Sequence, residues 1–309
     1  MKDKFLEFLS HELLKLKEQS LFRDIPNLRE QNGTMLRNGN GIYVNLCSNN
    51  YLGFGFDSKL QDEFFHFILD KTEYHWLTSG ASRLLTGNSQ SYEALESLLS
   101  SLYKTQSCLI FGSGYHAHLG IIPALSSSED AIFADRFCHA SILDGIRLSG
   151  ARLFRYAHLD MEHLSDLLKK ERHKYKKAFI ISESIFSMDG DIAPTKILVE
   201  LKNQFNAILI LDEAHAVGVY GPQGKGIAAK ENTLSEVDIL VGTFGKAYAS
   251  LGAFVISHPL VKQFLIRRLH LNFHLDASEE CIVNQGHGIE VRAENQEHAK
   301  RDNNGLPGV

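Results

Sequence analysis

The sequence predicts an α/β domain built on a doubly wound, mainly parallel sheet. Two observations carry that expectation. Short apolar runs of strand length alternate with segments whose apolar residues recur at helical spacing, the pattern of a parallel sheet buried between helices. The run Ile208-Leu-Ile-Leu211 is apolar at every position, as suits a strand covered on both faces rather than one.

Bulk properties narrow the class. The 309 residues suffice for one large domain or two smaller ones, and 44% hydrophobic with 22% charged residues is ordinary globular material. A net charge of -5 gives no reason to expect nucleic acid or an anionic membrane as a partner. Cys47, Cys108, Cys138 and Cys281 are far apart and form no Cys-x-x-Cys pair, which argues against zinc or a disulfide scaffold and fits a reducing, cytoplasmic setting. No apolar run approaches the roughly 20 residues of a membrane span. Residues 1–20 carry scattered charges and no continuous apolar core, unlike a secretory signal.

The elements follow in order. Phe5, Leu6, Leu9, Leu13 and Leu16 share one helical face, predicting an amino-terminal amphipathic helix that packs on the body or on a partner subunit. Residues 21–40 read as irregular, and Ile42-Tyr-Val-Asn-Leu46 as a short strand. Two loops rich in Gly with Asn or Ser, at 48–55 and 78–88, contain buried-type residues and are expected to line a site. Leu95, Leu98, Leu99 and Leu102 set a helix that starts near Ser91. Ser107-Cys-Leu-Ile-Phe111 is a strand that opens into Gly112-Ser-Gly114-Tyr115 and another helix; such a junction offers free backbone N–H groups and a helix dipole to an anion. Strands at 131–135, about 151–156 and 178–182 then alternate with helices at about 141–149, 161–173 and 195–204. The run Val237-Asp-Ile-Leu-Val241 leads into Gly242-Thr-Phe-Gly-Lys246. Phe273 is the last aromatic residue; 274–309 is polar, acidic and without clear period, and is expected to be poorly ordered or weakly packed.

In an open parallel sheet, ligands sit just beyond the carboxyl ends of the strands. Asp212 and His215 follow one such end and Lys246 follows the next. An acid, a histidine and a lysine so placed suggest pyridoxal phosphate: the lysine amine joins the aldehyde, the acid keeps the pyridine nitrogen protonated, and the histidine bonds the phenolic oxygen. Ser113, Gly114 and Tyr115 would hold the phosphate, Thr243 would add a hydroxyl to it, His139 would stack on the ring, and Ser187 would bond near the ring oxygen or the phosphate. A competing reading starts from Gly112-x-Gly114-x-x-Ala117 with Asp135 21 residues after Gly114, close to a dinucleotide fingerprint and hence to a nicotinamide-dependent oxidoreductase. It leaves Asp212, His215 and Lys246 without a task.

Six motifs in order resemble the α-oxoamine synthase family. They are Ser48-Asn-Asn-Tyr-Leu-Gly53, Gly80-Ala-Ser-Arg-Leu-Leu-Thr-Gly-Asn88, Ala134-Asp-Arg-Phe-Cys-His-Ala-Ser141, Phe186-Ser-Met-Asp-Gly-Asp191, Leu211-Asp-Glu-Ala-His-Ala-Val-Gly218 and Gly242-Thr-Phe-Gly-Lys246. The resemblance runs from about residue 21 to about 271. It implies a fold-type I pyridoxal phosphate enzyme, a homodimer, that joins an amino acid to an acyl thioester with loss of carbon dioxide. The runs at 82–88 and 183–194 are most like the members that condense alanine with a pimeloyl thioester for biotin synthesis; those that condense glycine with an acetyl thioester are next. By motif, Lys246 is the implied Schiff-base lysine, Asp212 the pyridinium partner and His215 the contact to the phenolic oxygen. Thr243, Gly114 and Tyr115, with Ser187 nearby, are the implied phosphate ligands. His139 is implied to stack on the ring and assist proton transfer, and Arg23 to contact the acyl substrate. The expected organisation is an arm at 1–45, a cofactor-binding large domain at 46–271, and an atypical tail at 272–309 in place of the family's smaller carboxyl-terminal domain. A catalytically dead cofactor-binding remnant is the alternative this last feature raises.

Overall fold

The computed structural model describes residues 2–25, 28–30, 33–39, 41–70, 80–104 and 107–268. The expected tail at 272–309 lies outside the described residues, as do Thr78 and Ser79 of the second loop. The chain divides by its internal contacts into residues 1–48 and 49–309.

In the first unit the apolar spacing forms helix α1 (Lys2–Glu18). Three antiparallel strands follow, β1 (Arg29–Glu30), β2 (Met35–Asn38) and β3 (Gly41–Val44), in spatial order β1-β2-β3. The stretch 21–40, read as irregular, therefore contains a hairpin strand. Its cause is the Asn38-Gly39 pair: Gly39 adopts a φ of 56° and lets Asn38 face Gly41 across a tight turn.

The second unit opens with helix α2 (Ser58–Asp70) and helix α3 (Gln90–Tyr103). Strands β4 (Ser107–Phe111), β5 (Ala131–Asp135), β6 (Arg152–Tyr156), β7 (Ala178–Glu183), β8 (Ile208–Asp212), β9 (Ile239–Thr243) and β10 (Ala253–Ser257) form one sheet. Helices α4 (Gly114–Leu125), α5 (Ala140–Ser149), α6 (Met161–Glu171), α7 (Thr195–Gln204), α8 (Ile227–Lys230) and α9 (Pro259–Arg268) connect or follow them. The sheet order is β4-β10-β9-β8-β7-β5-β6. Every pair from β9 to β6 is parallel, and β10 runs antiparallel between β9 and β4.

Alternate side chains of each strand point to opposite faces. Leu109, Phe111, Ile132, Ala134, Phe179, Ile181, Ile210, Val241 and Val255 pack with residues of α4, α5 and α9. On the other face Cys108, Ile110, Leu240 and Phe254 pack with α3, while Phe133, Ile180 and Leu209 pack with α6 and α7. The sheet is thus the middle layer of three, which is why its strands read as continuous apolar runs. Because β10 reverses direction, β4 is parallel to β9. The carboxyl ends of β4, β5, β7, β8 and β9 consequently meet along one edge, and polar residues gather there.

Candidate active site

The edge is built from strand ends in register. Glu183 closes β7 directly beside Asp212, which closes β8, and both are buried. Thr243 closes β9, and the turn after it carries Lys246. The turn after β5 carries His139, at the N-cap position of α5, with its Nδ1 2.8 Å from Ser141 Oγ and 3.2 Å from the Ser141 N. Ser113 follows β4 and caps α4 by accepting from the His116 N–H. Ser113 takes only that one of the helix's free N–H groups, so those of Gly114 and Tyr115 stay available. A Cβ placed on Gly114 would meet nothing within 4 Å, so open space lies against the helix start.

These ends enclose a cavity of about 160 Å³ lined by Gly114, Tyr115, His118, His139, Ser141, Glu183, Asp212, Ala214, His215, Thr243 and Lys246. Lys246 Nζ lies 2.6 Å from His215 Nε2, and His215 Nδ1 lies 2.7 Å from the Tyr51 hydroxyl. Burial and the adjacent Lys246 push the His215 pKa down to about 4, so its ring is neutral and Nε2 accepts from the lysine. Its Nδ1–H is then directed at Tyr51. Burial also lowers the Lys246 pKa, against the pull of Asp212 and Glu183, and increases the fraction of free amine. Asp212 Oδ1 accepts from the Ala214 N–H at 2.8 Å, while Oδ2 faces His118 Nε2 at 3.4 Å. Glu183 accepts from the His139 N–H at 2.6 Å. Burial first, and then the charge of Asp212, raise the Glu183 pKa to about 8, which keeps its carboxyl protonated at neutral pH. Thr243 Oγ1 donates to the Gly252 carbonyl at 2.9 Å and accepts from the Gly245 N–H at 3.2 Å, which closes the lysine turn. The Tyr115 hydroxyl donates to Asp144 at 2.7 Å.

The donor set suits an anionic aromatic aldehyde. It offers an amine of lowered basicity, a buried carboxylate, a neutral imidazole and an unobstructed helix start for an anion.

Seven of the residues singled out from sequence line this cavity: Gly114, Tyr115, His139, Asp212, His215, Thr243 and Lys246. Ser187 does not; it is exposed in a turn closed by the Phe186 N–H to the Asp191 carbonyl at 3.0 Å. Arg23 lies in the 1–48 unit, outside the unit that forms the cavity. Of the loops expected to line a site, 48–55 contributes the Tyr51 hydroxyl bond. In the other, Arg83 turns inward to Glu96 at 2.7 Å instead. Four groups were not foreseen: Tyr51, His118, Ser141 and Glu183. Their signals were slight. His118 stands one helical turn after Gly114, and Glu183 gains its role only from the β7–β8 register. The dinucleotide reading fails on Asp135, which is fully buried and accepts from the Phe137 N–H at 2.8 Å and the Leu159 N–H at 2.9 Å, with His158 Nδ1 also at 2.9 Å. No oxygen of it remains for a ribose.

Comparison with known proteins agrees with this geometry. Residues 41–280 match the family described as aminotransferase class I and II. An 8-amino-7-oxononanoate synthase of Haemophilus ducreyi is 42% identical over 269 residues, covering 85% of this chain and 69% of that protein. A Neisseria meningitidis serogroup B protein provisionally named for the same activity is 46% identical over 265 residues, with the same coverage. Among solved structures, a serine palmitoyltransferase from S. paucimobilis carrying a PLP adduct of myriocin superposes with a TM-score of 0.82 at 26% identity, over 96% of this chain and 74% of that one. An 8-amino-7-oxononanoate synthase from Francisella tularensis gives 0.63 at 28% identity, over 81% and 68%. Together with the cavity, these findings establish that the chain belongs to the aminotransferase class I and II family, among the pyridoxal phosphate-dependent acyltransferases of the α-oxoamine synthase type.

Proposed function

We propose that the chain condenses L-alanine with a pimeloyl thioester, with loss of carbon dioxide, to give 8-amino-7-oxononanoate for biotin synthesis. The observation that carries the reading is the convergence of Lys246, His215, Asp212 and the α4 start on one cavity. The identity to synthases of that name supports the choice of substrates. A glycine C-acetyltransferase is the nearest alternative.

Pyridoxal phosphate supplies an aldehyde that captures amines and a ring that draws electrons from the adjoining carbon. Lys246 would hold the aldehyde carbon, and its lowered pKa favours the free amine that this requires. Asp212 would keep a proton on the ring nitrogen, and His215 would bond the phenolic oxygen once Lys246 is engaged. The N–H groups of Gly114 and Tyr115, with Thr243, would receive the phosphate. His139, at the mouth, would cover the ring face and move a proton at the α-carbon. Ser187 and Arg23 complete the reading as a phosphate-side hydroxyl and an acyl contact. Residues 46–271 form its cofactor domain. We read the protein as cytoplasmic and homodimeric. The three described cysteines are free, and no helix among the described residues is long and apolar enough to cross a membrane.

The test is a visible spectrum of the purified chain with pyridoxal phosphate, beside Lys246→Ala, followed by alanine, glycine and pimeloyl-CoA. A yellow species that requires Lys246, changes with alanine and yields aminoketone is expected. A response to glycine and acetyl-CoA instead would shift the assignment to the alternative. A spectrum unchanged by Lys246→Ala would refute the cofactor role.

A further inference from the structure

One buried side chain at the site has no place in the roles above. His118 lies on α4, is 2% exposed, and lines the cavity. A buried histidine on a helix is ordinarily satisfied by backbone or by neighbours outside any site. Here both ring nitrogens point at site residues. Nδ1 lies 2.9 Å from Ser141 Oγ. Nε2 has no hydrogen-bond partner of its own and faces Asp212 Oδ2 at 3.4 Å. Ser141, itself 1% exposed, reaches on to His139 Nδ1 at 2.8 Å. Asp212, His118, Ser141 and His139 thus form a single chain that joins the carboxylate at the back of the cavity to the ring at its mouth.

We infer that His118 is a positioning residue of this site, holding the free oxygen of Asp212 through Nε2 and fixing the ring of His139 through Ser141. The inference rests on the cofactor reading above for its consequence, though not for its geometry. Proton counting gives it direction. Asp212 Oδ1 is occupied by the Ala214 N–H, so Oδ2 needs a donor, and His118 Nε2 is the group that faces it. With hydrogen on Nε2, a neutral His118 accepts at Nδ1 from the Ser141 hydroxyl. Burial keeps His118 neutral by lowering its pKa, against the pull of Asp212. Ser141 has then used its only hydrogen, so its oxygen accepts from His139 Nδ1–H. His139 is left with a lone pair on Nε2, ready to take a proton. The alternative has His139 Nδ1 accept from the Ser141 N–H, at 3.2 Å. With the Ser141 hydroxyl also directed at His139, it turns a lone pair of neutral His118 toward the carboxylate, which an unpaired buried charge resists.

The experiment has two arms on the full chain. The first is nitrogen NMR of the histidine rings in the cofactor-free protein, for wild type, Ser141→Ala and His118→Phe. Hydrogen on His118 Nε2 and on His139 Nδ1 is expected in wild type, and both variants should release the His139 tautomer. The second is pyridoxal phosphate titration. His118→Phe should weaken binding by roughly tenfold and shift the pH midpoint of the bound spectrum, while His118→Asn, which keeps a donor toward Asp212, should stay within about threefold. Should His118→Phe fold poorly, Ser141→Ala and His118→Asn carry the test. An unchanged His139 tautomer in Ser141→Ala, or equal binding by folded His118→Phe, would overturn the inference. If wild type takes up no cofactor, the functional reading fails, and the NMR arm alone still decides the role of His118.

Discussion

Gly242 sits in the middle of the sheet one residue before the turn that presents Lys246, and its reason for being glycine lies across the strand. Gly242 and Phe254 are direct partners in the β9–β10 ladder. A Cβ built on Gly242 would lie 2.2, 2.6 and 2.7 Å from three atoms of the Phe254 ring. That ring is 1% exposed and packs against Phe244 and Tyr103 at centroid distances of 5.1 and 5.7 Å, so it has nowhere to retreat. Gly242→Ala should therefore cost about 3 kcal/mol, at the upper end for overpacking. Phe254→Leu removes aromatic contacts and leaves space, at about 2 kcal/mol. If the two acted independently the double variant would lose about 5 kcal/mol, but the leucine vacates the volume that the new methyl enters. The double variant should lose only about 2–3 kcal/mol, a coupling of about 2 kcal/mol. Urea unfolding at constant slope gives all four corners of the cycle. Additivity within about 0.5 kcal/mol would refute the account. Gly242→Ala should also weaken cofactor binding more than Phe254→Leu does, because it moves the strand that carries Thr243 and Lys246.

Three further outcomes are expected. The pKa values of Glu183 and Glu213 are raised to about 8 and about 7 from 4.5, so each favours the folded state when protonated. That stability is complete below pH 4.5 and lost as pH rises to 8; denaturation from mildly acidic to mildly basic pH should show the fall, and Glu183→Gln should flatten it. Glu96 joins Arg83 at 2.7 Å and Lys262 at 2.6 Å, with the Arg83 side chain only 8% exposed. Glu96→Ala strands that charge and should cost about 3–5 kcal/mol in chemical unfolding, whereas Lys262→Ala, at a more open position, should cost less. Ser113→Ala removes the cap of α4 and should cost about 1 kcal/mol by the same assay.

The alternation of apolar runs and helical periods made the parallel core readable, since strands covered on both faces have no choice but to be apolar throughout. The helix Thr195–Gln204 and the strands Ala131–Asp135 and Ser107–Phe111 fall where their patterns predicted. Strand β10 escaped notice because Ala253-Phe-Val-Ile-Ser257 lies in a stretch read only for its lysine turn. Its antiparallel direction is set by partners rather than by its own residues. Hairpin strand β2 was hidden for a similar reason, since its stability lies in pairing with β3. Asp212, His215 and Lys246 were readable because each follows a strand end directly. Tyr51 and Glu183 were not, because their roles arise from contacts across the fold. Tyr51 meets His215 from far upstream, and Glu183 holds its proton because the folded chain buries it and sets it beside a second carboxylate. Ser187, in a matching motif, stands on an exposed turn and is not among the residues that line the cavity.

The insertion of β10 between β4 and β9 also sets an order of events during synthesis. Among the described residues, strand β4 stands at the sheet's end and pairs with β10 alone. Its hydrogen-bonding edge is among the first sheet segments to leave the ribosome, and its partner is the last. Until residues 253–257 emerge, an apolar strand waits with unpaired amide groups, because the strand that lies between it and β9 has not yet been made. Such an edge invites pairing with other chains. The nascent protein thus carries an unpaired β4 edge until the antiparallel strand of this sheet arrives.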